Sequence, residues 1–111
     1  GWEAWKTFPH ERQRLIDLVD QSSSETVLFI SGDRHRGGLY QFTTDSQKNI
    51  IEMTSSSLNL AFTNDEEAGP LRVGPTFVQE NYGEIILDKL TNKMTVNLKD
   101  NQGQVIQSVE L

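Results

Sequence analysis

Thr26 to Ile30, TVLFI, is a run of five consecutive apolar or β-branched residues that leads directly into Ser-Gly-Asp-Arg-His-Arg-Gly-Gly at residues 31–38. A short continuous run of this kind suits a strand buried on both faces, as in an α/β sheet. It therefore constrains the fold more than any other stretch, because a strand covered on two sides needs layers above and below it. The residues before it form the one convincing helical pattern. In KTFPHERQRLIDLVDQ, Pro9 fits the first helical turn, where a missing N–H costs nothing. Leu15, Ile16, Leu18 and Val19 make an apolar stripe, with Glu11, Arg12, Arg14 and Asp17 mostly on the other face, and Ser22 to Ser24 end the helix. Helix followed by buried strand is half of a βαβ unit, whose other half is expected to precede Gly1.

Beyond Gly38 the pattern changes. LYQFTT and NIIEMTSSS are short strand candidates separated by a polar turn at residues 45–48. Residues 55–74 mix polar, acidic and apolar side chains around Gly69-Pro70 and read as a long loop. In the last third, Met94, Val96 and Leu98 alternate with Thr95, Asn97 and Lys99, and the period continues through Val105, Val109 and Leu111. Asn92-Lys93 and residues 100–103 read as hairpin turns. The expected architecture is a single α+β domain over residues 1–111: one N-terminal helix, a buried strand, then an antiparallel β meander with one wet face.

The chemistry gathers at the turn after the buried run. In open α/β sheets ligands collect beyond the carboxyl ends of strands, and Asp33 and His35 stand just past such an end. A tight turn, made feasible by Gly32, Gly37 and Gly38, can aim both side chains at one point. A carboxylate and an imidazole suit Zn, Mn, Fe or Ni, and the carboxylate also accepts Ca or Mg. Arg34 and Arg36 could add forks for a phosphate. The plainer reading has Asp33 capping the turn and His35 as a polar loop residue, since two ligands do not close a metal site. The chain has no cysteine, which excludes thiolate ligands and disulfides. Ten Lys plus Arg against sixteen Asp plus Glu leave a net charge of −6, which argues against a nucleic-acid-binding surface. No apolar run approaches the roughly 20 residues of a membrane helix, and GWEAWKTFPHER lacks the apolar centre of a signal peptide.

Four stretches occur in an order that resembles one family. They are W-x-x-F-P-x-E-R at Trp5 to Arg12, V-L-F-I-S-G-D-R-H at Val27 to His35, E-M-T-S-S-S-L at Glu52 to Leu58, and N-Y-G-E-I-I-L-D at Asn81 to Asp88. Together they look like the C-terminal portion of the alkaline phosphatase D (PhoD-like) metallophosphoesterases, of the calcineurin-like superfamily. Ser57 stands where that family's motif would carry a glycine. The resemblance implies part of an α/β metallophosphoesterase sandwich. It also implies hydrolysis of phosphate mono- or diesters at a two-metal site holding Fe, Zn, Mn or Ca. His35 matches the second histidine of the superfamily's last metal motif, and Asp33 stands in place of the first. The other metal motifs are expected upstream, so this segment alone is not expected to be a competent catalyst. The expected partners are the phosphate-ester substrate and the rest of the catalytic domain. Apolar edges left uncovered would favour self-association. An extracytoplasmic location would follow only from the resemblance.

Other residues carry plainer expectations. His10 reads as surface, Trp2 and Trp5 as packing a chain terminus onto the core, and Asn64 to Glu67 as a solvated acidic turn. Ser55 to Ser57 lack the context of a nucleophile. Tyr82-Gly83 reads as a turn, with Gly83 supplying positive φ. Opposed to the enzyme reading is a non-catalytic, β-rich accessory or interaction module.

Overall fold

A computed structural model describes residues 4–63 and 69–111. A 3-10 turn at Trp5–Thr7 leads into helix α1, Pro9–Gln21. Seven strands follow: β1 Thr26–Ser31, β2 Gly37–Thr43, β3 Asn49–Ser55, β4 Arg72–Phe77, β5 Asn81–Asp88, β6 Lys93–Asp100 and β7 Val105–Glu110. They form a four-stranded sheet in the order β1-β3-β2-β4 and a three-stranded sheet in the order β5-β6-β7. Pro9 occupies the start of α1, and the Ser22 backbone N–H closes its end on the carbonyls of Leu18 and Val19. At 13 residues, α1 is not long and apolar enough to cross a membrane.

The first sheet is laid out around β3. β2 pairs with it antiparallel, placing Leu39 opposite Met53, while β1 pairs with it in parallel, placing Ile30 opposite Met53 and Leu28 opposite Ile51. Registered partners share a face. Leu28, Leu39, Ile51 and Met53 therefore lie on one face, shared by the more exposed Ile30. On it Leu39 and Met53 meet Val96, with Leu28, Met94, Val109 and Leu111 packed around them. On the opposite face Arg12 of α1 lies over the Phe42 ring, 5.7 Å from its centroid. The end of α1 is tied to the β2–β3 turn, where the Thr44 hydroxyl donates to Asp20 at 2.5 Å and the Lys48 ammonium to the Ser22 carbonyl.

Two glycines set how closely the sheets approach. A Cβ on Gly37 would stand 2.7 Å from Leu98 Cδ1 and 2.9 Å from Asn81 Oδ1. One on Gly83 would stand 2.8 Å from Met53 Sδ. Added side chains would meet Leu98 and Asn81 at Gly37 and the flexible end of Met53 at Gly83, so Gly83 is favoured by packing and not by a turn. Its φ is not positive, and Tyr82-Gly83 lies within β5.

The α+β expectation, and with it the piece of an α/β sandwich, is overturned. The described chain is mostly β, 47% strand against 16% helix, with one α-helix and two sheets. The source of the error is β1. It is an edge strand rather than one enclosed on both faces, with Ile30 65% exposed. An unbroken apolar run cannot tell a central strand from an edge strand whose two faces are each half covered, and Val27, Leu28 and Phe29 are half-buried in that way. The helical stripe is also narrower than its sequence: Val19 is buried, whereas Leu18 faces solvent. Trp5 is exposed rather than packed on the core. The expected 55–74 loop ends early, since Arg72 to Gly74 belong to β4. The antiparallel meander of the last third is present as β5-β6-β7, and His10 is exposed. Trp2 and the Asn64 to Glu67 cluster lie outside the described residues.

Candidate functional site

Because β1 and β3 run parallel, their carboxyl ends lie side by side. The Gly32–Arg36 connection after β1 therefore adjoins the irregular segment after β3, residues 56–62. The two are stitched together through Ser56. Its hydroxyl accepts the Arg34 backbone N–H at 3.0 Å and donates to the Arg36 carbonyl at 3.3 Å, and its own N–H donates to the same carbonyl at 3.3 Å. Asn81, buried at the start of β5, anchors the segment from below. Its amide donates to the carbonyls of Ser56 and Gln79, and its Oδ1 accepts the Ser55 hydroxyl.

The turn itself is conformationally unusual. Asp33 and His35 both hold positive φ, 62° and 52°, in the left-handed region that non-glycine residues rarely occupy. Such geometry survives only where surrounding contacts over-determine it, and it clusters at functional sites. His35 has those contacts. Its carbonyl accepts the Phe62 backbone N–H at 2.8 Å, its Nδ1 lies 2.7 Å from the Leu60 carbonyl, and its ring stacks on Phe62 with centroids 4.2 Å apart and planes 8° from parallel. A carbonyl only accepts, so Nδ1 is the donor; of the two neutral tautomers, the one that makes this bond has its lone pair at Nε2. Metal-ligating histidines commonly have this arrangement, with the second nitrogen donating to a carbonyl or carboxylate.

Asp33 is exposed two residues before His35. Among the described residues no third His, Asp or Glu joins them in a group that could hold a metal. An imidazole nitrogen and a carboxylate two residues apart in the chain are donors of the kind a metal takes, and a site would need further ligands to close. The two arginines are placed differently from each other: Arg34 is half-buried and Arg36 is buried. Both bear electrostatically on Tyr40. Burial pushes its phenol above the ordinary 10.0, and Arg34 opposes the push most strongly, with Glu52 adding to it and Arg72 and Arg36 against it. At the same end of the sheet the Ser31 hydroxyl donates to Glu52 Oε1 at 2.6 Å and lies 2.7 Å from the Thr54 hydroxyl.

Beside the turn runs an open groove of about 430 Å³, walled by Ile30, Leu58, Tyr82 and Ile85 among others. Neither Asp33 nor His35 lines it; Ser55, Ser56, Ser57 and Asn81 do. Sequence reasoning missed Ser56, Leu60, Phe62 and Asn81 as parts of this site. Ser56 and Asn81 lie inside the quoted motifs, which was a signal of a kind. Leu60 acts through its main chain, which leaves no mark on residue type, and Phe62 falls in a stretch with no periodicity. Comparison with protein-family models, with curated proteins and with solved structures returns no match to this chain. The likeness to PhoD-like enzymes therefore rests on its motifs alone.

Proposed function

We propose that this chain is the C-terminal part of a metal-dependent phosphoesterase, acting on phosphate mono- or diesters, with His35 as a metal ligand and Asp33 as a second. The observation that carries the reading is the 2.7 Å contact between His35 Nδ1 and the Leu60 carbonyl, which leaves Nε2 as the donor. The strained backbone at Asp33 and His35 supports it as well. A pair of bound metal ions would supply polarised phosphoryl oxygens and a hydroxide nucleophile at neutral pH. The chain's own contribution is to hold. Leu60 keeps the proton on Nδ1, the Phe62 stack fixes the ring plane, and Ser56 braces the turn that carries Asp33. Of the two arginines, the less buried Arg34 is the one assigned to offset phosphoryl charge. Two ligands do not hold a pair of metals, and among the described residues no third donor joins them, so further ligands are part of the proposal.

The test is His35→Ala in the complete protein, assayed with p-nitrophenyl phosphate and its bis-ester across Zn²⁺ and Mn²⁺ concentrations. Metal-dependent turnover is expected to fall more than about a hundredfold, beyond the 10–100-fold typical of losing an outer partner. Unchanged turnover would remove the ligand assignment. The accessory-module reading draws on the lack of a third donor among the described residues; it would take over if the complete protein bound neither metal.

A further inference from the structure

Phe62 sits in an irregular segment, 49% exposed, where burial alone does not explain an aromatic side chain. Its contacts with the described residues converge on His35. The ring stacks on the imidazole at 4.2 Å and 8°, and its amide donates to the His35 carbonyl at 2.8 Å. Two residues earlier, the Leu60 carbonyl accepts the Nδ1–H hydrogen bond. A carbonyl on the Nδ1 edge and a ring on the imidazole face then specify both side-chain torsions of His35. The side left over is the Nε2 edge.

We infer that Phe62 is a positioning residue: its ring holds the His35 imidazole in the orientation that keeps Nδ1–H on the Leu60 carbonyl and aims Nε2 outward for a metal. The inference rests on the metal-ligand reading of His35 for its purpose, but not for its geometry. Without the stack, the imidazole is free to turn about its second torsion and to exchange tautomers, and the Nδ1–H···O bond loses its alignment. An aliphatic side chain of similar bulk cannot replace the flat face, because parallel stacking depends on two π surfaces. A tyrosine can.

The test compares wild type, Phe62→Leu, Phe62→Tyr and Phe62→Ala. Nitrogen chemical shifts of the His35 ring are recorded at a single alkaline pH, without metal, and Zn²⁺ affinity is measured by titration. Wild type and Phe62→Tyr are expected to show the Nδ1–H tautomer alone. Phe62→Leu and Phe62→Ala are expected to show a mixture of the two tautomers, with Zn²⁺ affinity reduced about tenfold where wild type binds it. A pure Nδ1–H tautomer in Phe62→Leu, or a mixture already in wild type, would overturn the inference. Because Phe62 is half exposed, Phe62→Leu is expected to keep the fold, and the Phe62→Tyr rescue separates ring orientation from general loosening. Failure of wild type to bind Zn²⁺, with the tautomer still responding to Phe62, would count against the phosphoesterase reading and leave the positioning role standing.

Discussion

Ser57 holds a φ of 111°, a conformation that suits glycine, and its hydroxyl is buried with no hydrogen-bond partner among the described residues. Both features work against stability, one through backbone strain and the other through desolvation without compensation. Ser57→Gly removes both at once, although the glycine adds freedom to the unfolded chain. The expected net gain is about 1 kcal/mol, read as a higher urea midpoint with unchanged slope. A second residue-scale effect concerns Glu84. The Lys99 ammonium, 2.7 Å away, and then the Asn97 amide hold its carboxyl below the ordinary 4.5, and the same pair raises Lys99 above 10.5. A carboxylate with a depressed folded pKa stabilises above its unfolded value and loses that contribution as pH falls through the folded one. The raised Lys99 contributes below its unfolded value and loses that as pH rises through the folded one. Stability measured by urea midpoint should therefore decline at both extremes, and Glu84→Gln should flatten both limbs.

Among the elements, the glycine contacts between the sheets make graded predictions. Gly37→Ala drives a methyl into Leu98, which is fully buried, and into Asn81, which is held by three hydrogen bonds. Neither neighbour can yield, so the cost should be about 2–3 kcal/mol. Gly83→Ala meets only the flexible end of Met53, which can change rotamer, and should cost nearer about 1 kcal/mol. Paired thermal melts would rank the two. The legibility of the elements follows the same physics. The alternation through Met94, Val96 and Leu98 reports a sheet with one buried face, and the β5-β6-β7 meander is as expected. Pairing partners are another matter. No local pattern announces that β3 lies between β1 and β2, because a strand's neighbours depend on residues far away in sequence. Gly83 resembled a turn residue for a similar reason, since the atom that excludes a side chain there belongs to Met53.

At the scale of the whole molecule, apolar side chains are left uncovered on and beside two edge strands. Ile30 on edge strand β1, Leu58 after β3, and Ile86 and Leu87 on edge strand β5 are 49–78% exposed. Such edges pair readily with other chains. Residues 1–111 are therefore expected to show a concentration-dependent sedimentation coefficient. A lysine at position 86, Ile86→Lys, should suppress it by placing charge on the β5 edge. A monomer that stays single over a hundredfold range of concentration would contradict this.

What the sequence by itself determined are the features written in neighbouring residues: the helix from Pro9 to Gln21, the strand after it, the C-terminal meander, and the polar turn in which Asp33 and His35 stand two residues apart. These follow from periodicity, propensity and turn chemistry, which act over a few residues. The tertiary structure decided that β1 is an edge and the molecule mostly β, that Arg36 is buried, and that His35 is gripped by Leu60 and Phe62. Each of those outcomes depends on which distant segments meet. The orientation of His35, and with it which ring nitrogen is turned away from the backbone, depends on a main-chain carbonyl 25 residues away. Every non-proline residue carries the same carbonyl and amide, so only the folded chain can say which of them is used.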